Sequence, residues 1–392
     1  MSWKASKMSQ LLEFVSLARV EGQEFKAACS RFGISRKTGY KWLERYSLEG
    51  EAGLVDRSRR PKASPGKSSP KVEAMVVKLR KKHPSWGGRK LQRRLLALGH
   101  SDVPSASTIT SILGRHGLLS ELDGAGLPRG PRRFERDAPN DLWQMDFKGH
   151  FGMVGGGRCH PLTVLDDHSR YSIGLRACGD ERGVTVMREL VGMFRVYGLP
   201  VQMLMDNGAP WGDEGGQPWT IVTSWLVRLG IRVTHIRPHH PQTQGKAERF
   251  HRTLKAEILR DRSHLDLAAC QVDFDPWRDV YNHERPHEGI GLEVPASRYR
   301  MSERGYPENL PVVEYGSDTE VRRVRTDGLI TYRKRRIRIG KAFIGQPVGL
   351  RSTPTDGLYE IFYCDQTIGW VDIRKSATDT GGNLSLIRRL ND

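Results

Sequence analysis

The chain lacks any run of 18 or more apolar residues, and Met1 to Gln10 leads into charged amphipathic sequence with neither an apolar signal core nor a small-residue cleavage site. A soluble, cytoplasmic protein with no membrane partner is expected. Cysteine is scarce: Cys29, Cys159, Cys178, Cys270 and Cys364 are odd in number and contain no C-x-x-C pair. That spacing argues against a disulfide framework or a thiolate zinc site and for reduced, mostly buried thiols. Acidic residues are in deficit, 45 against 63 Lys plus Arg, for a net charge of +18. Hydrophobic residues still make up 37% of the chain, enough for packed cores and against wholesale disorder. At 392 residues the chain exceeds one core, and domains of roughly 100 to 150 residues put the count at about two to four.

The surplus charge is unevenly spread. Residues 1 to 140 carry 28 basic and 13 acidic side chains, residues 141 to 320 carry 21 and 25, and residues 321 to 392 carry 14 and 7. Two basic regions flanking a slightly acidic middle are what a DNA-binding protein with a carboxylate-bearing centre shows, since Lys and Arg displace the counterions of a polyanion. The first basic region reads as helices. Leu11, Val15 and Ala18 recur at helical period, as do Phe25, Ala28, Cys29 and Phe32. Gly33 then permits a turn, and Ser35 caps a third helix, Arg36 to Tyr46, with Trp42 and Leu43 packing inward. This is helix-turn-helix grammar, which places Arg36, Lys37, Thr38 and Lys41 at the DNA-reading end. A small three-helix bundle without that role has the same pattern.

A Pro-, Ser- and base-rich linker at 59–70 separates this module from a second helical triplet: Val72 to Lys82, Gly88 to Leu98 and Ser105 to Arg115. Arg89 and Lys90 open its middle helix and are candidate DNA contacts. Glu121 to Asn140 is a second linker, rich in Gly, Pro and Arg. The period then changes to that of a strand: Trp143, Met145 and Phe147 alternate with Gln144, Asp146 and Lys148. Pro161 to Gly174 reads as two strand arms around the polar turn Asp166-Asp167-His168-Ser169-Arg170. A helix, Val184 to Tyr197, and a strand, Val201 to Met205, complete a mixed α/β pattern.

Three carboxylates stand out by position. Asp146 lies within the first strand, and Asp206 ends the strand 201–205 before the sharp turn Asn207-Gly208. Glu248 sits near the start of a helix, Gly245 to Leu259. A carboxylate at a strand end projects into the crevice beyond the sheet. On the helix, Ala247, Phe250, Leu254 and Ile258 form the buried stripe, whereas Glu248, Arg252 and Lys255 share the other face. Taken singly, each acid also suits a blander place: a half-buried strand, an ordinary turn, an exposed helical ion pair. Taken together they suit a hard divalent cation beside a DNA phosphate.

Trp143-Gln144-Met145-Asp146, Leu165 to Tyr171, Asp206-Asn207-Gly208 and His240 to Lys255 resemble the motifs of DDE insertion-sequence transposases, which share the retroviral-integrase catalytic core. Tyr281-Asn282-His283-Glu284-Arg285-Pro286-His287 resembles the segment that follows that core, and Ser35 to Trp42 the family's amino-terminal motif. The resemblance implies an RNase H-like core in which Asp146, Asp206 and Glu248 hold two Mg²⁺ or Mn²⁺ ions, with Asp146 bridging both. It also implies that Gln244, Lys246, Arg252 and Lys255 touch element-end DNA near the scissile phosphate. The 41 residues from Asn207 to Ala247 exceed the family's usual interval, with Gly212 to Pro218 as the apparent insertion.

The last seventy residues read as strands, Val321 to Arg325, Ile330 to Ile339, Val348 to Arg351, Tyr359 to Cys364 and Gly369 to Ile373, with hairpin turns at 326–328 and 355–357. A small, SH3-like β-barrel is expected. Its 321–341 stretch carries nine basic residues and one acidic one, and Arg333, Lys334, Arg335 and Arg336 are candidate contacts to DNA or a partner subunit. The expected organisation is therefore multidomain α/β: a helix-turn-helix domain (1–58), a linker (59–70), a second, winged-helix-like unit (71–118) and a linker (119–139). An RNase H-like core with a helical extension (140–304) and a β-barrel (305–392) follow. The expected function is that of a bacterial transposase. It would bind terminal inverted repeats of double-stranded DNA, free each 3′-OH and join it to target DNA, acting as a dimer or tetramer on paired ends. A catalytically silent repressor and a structure-selective nuclease are the alternatives; an intact acidic triad disfavours the first and tandem DNA-reading modules the second.

Overall fold

A computed structural model describes residues 7–22, 24–57, 67–119, 135–212, 218–236, 245–260, 262–376 and 382–387. Most of both linkers, the middle of the Gly-rich insertion and Gln244 lie outside the described residues. The chain forms two compact units, Met1–Lys67 and Ser68–Asp392.

In the first unit, helices α1 (Lys7–Ala18), α2 (Phe25–Arg31) and α3 (Arg36–Glu49) enclose Phe14, Val15, Ala28, Cys29, Trp42 and Leu54. Ser35 caps α3: its side chain accepts from the Thr38 amide at 3.2 Å, satisfying a donor that the first helical turn leaves over. Gly33 has φ +60° at the turn before α3. Gly39 serves close approach instead, since a Cβ there would lie 2.7 Å from Cys29 Sγ and 2.9 Å from the Phe25 ring.

The second unit begins with α4 (Pro70–Lys82), α5 (Gly88–Ala97) and α6 (Ala106–Arg115), packed around Val76, Trp86, Leu91, Leu95, Ile109 and Ile112. Next comes a sheet built from β1 (Trp143–Phe147), β2 (Phe151–Gly152), β3 (Arg158–Asp166), β4 (Ser172–Cys178), β5 (Gln202–Met205) and β6 (Arg232–His235). Its order is β2-β3-β1-β5-β6, with β4 also on β3. β1 runs antiparallel to β3 and parallel to β5, and β5 runs parallel to β6. This is the RNase H-like arrangement. On one face, α7 (Gly183–Tyr197) and α8 (Ile221–Arg228) bury Val186, Leu190, Phe194 and Leu226. On the other, α9 (Gly245–Leu254) and α10 (Leu267–His283) bury Phe250, Leu254, Phe274 and Tyr281 against Leu165 and Leu175. The expected helix 245–259 is not one α-helix: its last turn, Lys255–Leu259, is a π-turn.

The C-terminal domain contains a four-stranded and a three-stranded sheet, built from β7 (Glu320–Arg323), β8 (Leu329–Tyr332), β9 (Arg335–Arg338), β10 (Pro347–Ser352), β11 (Leu358–Tyr363), β12 (Gln366–Asp372) and β13 (Leu384–Ser385). They enclose Ile330, Tyr332, Ile337, Phe343, Val348 and Ile361. The strand expected over Ile330 to Ile339 is two strands joined by a tight turn at Arg333 and Lys334, whose φ angles are +45° and +59°. Such a turn favours Asn and Gly, which hid it in the sequence. Arg333 sits over the Tyr332 and Tyr359 rings at 5.5 and 5.1 Å, a cation–π contact.

Because Gly39 is the point at which α3 meets α2, Gly39→Val overpacks that contact. It is expected to lower the stability of a 1–67 fragment by about 1–3 kcal/mol. Denaturation followed by Trp42 fluorescence measures this, and an unchanged midpoint would show that the contact is loose.

Candidate active site

The site starts from sheet register. Gln144 of β1 pairs with Leu204 of β5 in parallel, so Asp146 and Asp206, each two residues further on, extend from neighbouring strands in the same direction. Burial raises the Asp146 carboxyl, and the Asp206 charge raises it further, with smaller contributions from Glu181 and Glu248, to about 7. Burial likewise raises Asp206, opposed by the Gly208 amide, which donates to its Oδ1 at 3.1 Å. The turn after Asp206 is tied to β6: Asn207 Nδ2 donates to the Ile236 carbonyl at 2.8 Å, and His235 Nδ1 donates to the Asp206 carbonyl at 2.7 Å.

His251 of α9 lies beside Asp146. Its Nε2 lies 2.8 Å from Thr163 Oγ1, which donates to the Asp146 carbonyl at 2.9 Å. Because the Thr163 proton is used there, His251 is the donor to Thr163 and turns an unprotonated Nδ1 toward Asp146 Oδ2, 3.9 Å away. Burial and Lys148 push His251 down to about 4, so the ring is neutral near pH 7 and does not offset the carboxylates.

Glu248 lies in the first turn of α9 on its exposed face, with Arg252 and Lys255 also exposed. Ala247, Phe250, Leu254 and Ile258 are buried. Among the described residues no three His, Cys, Asp or Glu side chains stand close enough to ligate one ion. Asp146 feels the charge of Asp206 more strongly than that of Glu248. The pair fits a cation on donor chemistry: hard carboxylate oxygens, partly desolvated, that repel one another when no positive charge lies between them. Sequence reading missed Glu181, whose Oε1 bonds His160 Nδ1 at 2.8 Å and whose charge reaches both aspartates. Glu181 lies three residues beyond β4, after Asp180, so the rule that singled out Asp206, an acid directly after a strand, does not reach it.

The candidate DNA contacts occupy different settings. Arg36, Lys37 and Lys41 are exposed on α3, whereas Thr38 is half-buried and engaged with its cap, its Oγ1 lying 2.9 Å from Ser35 Oγ. Arg333, Lys334, Arg335 and Arg336 are all exposed at the hairpin. Three basic residues instead face other parts of the second unit. Arg89 pairs with Glu288 at 3.2 Å. The Lys90 ammonium is lowered to about 8, chiefly by burial and then by Arg285. Lys246 pairs with the buried Asp167. Acidic residues distant in sequence, Glu288 for Arg89 and Asp167 for Lys246, engage these side chains, a partnership that linear sequence does not display.

Comparison with known proteins agrees with this architecture. A helix-turn-helix domain profile matches residues 12–62 and a homeodomain-like domain profile residues 38–113. Two integrase core domain profiles match 136–241 and 229–295, and the IS481 family transposase C-terminal domain matches 319–379. An uncharacterized protein of insertion element IS476 from Xanthomonas euvesicatoria is 27% identical over 250 residues, covering 62% of this chain and 69% of that protein. An uncharacterized protein of insertion element IS407 from Burkholderia multivorans is 25% identical over 182 residues, covering 46% of this chain and 60% of its own length. Among solved structures, the HTLV-2 integrase catalytic core domain in complex with magnesium aligns with a TM-score of 0.33 at 15% identity, covering 42% of this chain and 99% of that one. Among the described residues no helix is long and apolar enough to cross a membrane.

Asp146 generates a stability prediction. Folded, it keeps its proton up to about pH 7; unfolded, it releases it near about pH 4. The metal-free protein therefore loses stability from this group as pH rises through that window. The side chain is 22% exposed, so the penalty is on the order of 2 kcal/mol. Asp146→Asn should be more stable than wild type by that amount at pH 8 and equal to it at pH 4. Metal-free thermal unfolding at both pH values measures the difference, and coincident midpoints at pH 8 would contradict the repulsion.

Proposed function

We propose that this chain, a DDE insertion-sequence transposase built on an RNase H-like integrase core, binds terminal inverted repeats, frees their 3′-OH ends and joins them to target DNA. The observation that carries the reading is that Asp146 and Asp206 extend from neighbouring parallel strands, where burial and then the Asp206 charge raise the Asp146 carboxyl. Held by Asp146 and Asp206 with Glu248 completing the set, two Mg²⁺ or Mn²⁺ ions would lower the pKa of the attacking water or 3′-OH and neutralise the leaving oxygen.

The chain's own groups do the rest. Arg252 and Lys255 share the exposed face of α9 with Glu248 and receive the phosphates flanking the scissile bond, joined by Gln244. His251, neutral at pH 7, adds no positive charge beside Asp146 and leaves the carboxylate's charge for the metal. Arg36, Lys37 and Lys41 present the reading face of the first helix-turn-helix unit. Domains at 1–58, 71–118, 140–304 and 305–392 divide the work into two DNA-reading modules, a catalytic core and a DNA-binding or assembly domain. Coordinated joining of two ends requires at least a dimer, acting in the cytoplasm at the nucleoid.

Asp146→Asn should retain element-end binding and lose Mg²⁺-dependent cleavage by at least about a hundredfold, since it removes a carboxylate that would hold the ions. Wild-type cleavage by this variant would take Asp146 out of the site. Replacing Arg333, Lys334, Arg335 and Arg336 together by Gln should weaken binding alike on all sequences and lower the log-log salt slope by about 0.9 for each phosphate no longer neutralised. An unchanged slope with intact folding would make the hairpin a solvated surface, and intact single-end binding with failed pairing of two ends would make it a subunit contact.

A further inference from the structure

The turn Asp166-Asp167-His168-Ser169-Arg170 stands out in the sequence, yet neither metal binding nor phosphate contact uses it. Asp167 is fully buried, and it gathers partners from three directions. Its carboxylate accepts from Gln144 Nε2 at 2.7 Å, from the Arg136 amide at 2.9 Å and from Lys246 Nζ. Lys246 Nζ also reaches the Asp167 carbonyl at 3.3 Å, and the Asp167 amide donates to the Leu142 carbonyl at 2.9 Å, just before β1.

Two of these partners have telling addresses. Gln144 is two residues before Asp146 on β1, on the same side of the sheet. Lys246 is two residues before Glu248 in the first turn of α9. From this juxtaposition we propose that Asp167 is a positioning residue that ties the strand carrying Asp146 to the helix carrying Glu248, with Lys246 as its counter-charge. The inference rests on the transposase reading and deepens it.

The pairing is consequential because Asp167 is buried. An ionised carboxylate out of water requires an opposite charge, and removing one partner of such a pair leaves the other uncompensated. Lys246, its side chain only 16% exposed, is drawn inward to supply that charge. Drawing it inward sets both the axial position and the rotation of the first α9 turn, and Glu248 moves with that turn. The far end of the helix is held separately, where Glu257 accepts from Trp277 Nε1 at 2.7 Å and from Arg285 Nε at 3.3 Å. The charge of Glu248 reaches Asp146 more weakly than that of Asp206, and the start of α9 sets where Glu248 stands relative to both. Lys246 thereby differs from Arg252 and Lys255, which point to solvent on the same helix.

The test uses the full chain with Lys246→Met, Lys246→Arg and the double variant Asp167→Asn/Lys246→Met, which removes both charges and so leaves no unpaired buried ion if the single variant fails to fold. Three readouts are taken: amide hydrogen exchange over 245–250 without metal or DNA, Mn²⁺ binding followed by electron paramagnetic resonance, and the salt dependence of end-DNA binding. Lys246→Met and the double variant should exchange faster at 245–250 but not in α7 and bind Mn²⁺ about tenfold more weakly, at an unchanged salt slope. Lys246→Arg should restore both properties toward wild type. Unchanged exchange and Mn²⁺ affinity would overturn the proposal, as would unchanged exchange with a salt slope lowered by about 0.9, the mark of a phosphate contact. Asp146→Asn is the control for the underlying reading. Mn²⁺ binding that survives it would sink the metal site, while faster exchange at 245–250 in Lys246→Met would still uphold the tie.

Discussion

Two carboxylates that repel each other across a β-strand pair set the terms for the rest of this molecule. Asp146 and Asp206 extend from adjacent parallel strands, and burial and mutual charge push Asp146 up to about 7. A sheet does not place two acids side by side for stability, since each disfavours the other's charged form. The surrounding structure keeps the conflict in place. β1 lies between β3 and β5 in the sheet, the turn after Asp206 is bonded to β6, and the neighbouring histidine is neutral rather than a counter-ion. Such an arrangement is the local violation of good packing expected where a cation and a phosphate are to be handled.

The helix that brings Glu248 obeys a different constraint. Its buried stripe anchors it to β3, β4 and α10, but that stripe alone leaves rotation and axial position soft. Charged contacts at the two ends of the helix remove that freedom, Lys246 with Asp167 at the start and Glu257 with Arg285 at the close. The motif Tyr281 to His287 belongs to the same support. The Tyr281 ring meets Phe250 of α9 edge-on at 4.8 Å, and Asn282 bonds both backbone groups of Ser172 at the start of β4. The α4–α6 module docks on this region, through Lys82 and Arg94 to Glu284 and Arg93 to Glu293. Arg89, expected from sequence as a DNA contact, joins them by pairing with Glu288.

Periodicity made the elements legible. Alternation at Trp143 to Lys148 marked β1, the Ser35 cap marked α3, and the stripe Ala247, Phe250, Leu254, Ile258 marked the inward face of α9. Strand-end logic placed Asp206 but not Glu181, which lies three residues beyond β4. What stayed hidden depends on partners distant in sequence or on unusual backbone. Nothing local to Lys246 announces a buried acid 79 residues earlier, nothing near Lys90 announces Glu257 and Arg285, and a tight turn made of Arg333 and Lys334 lacks the residues by which such turns are recognised. How strongly Glu248 acts on Asp146 is likewise a property of packing, invisible to spacing.

The central claim is that the Asp146–Asp206 pair exists to hold a divalent cation at element-end DNA. Anomalous diffraction from crystals of the full chain bound to a terminal repeat and Mn²⁺ tests it most directly. The account predicts a manganese peak between the two aspartates with Glu248 drawn into its coordination shell. A peak elsewhere, or none between them while Mn²⁺-dependent cleavage proceeds, would contradict it.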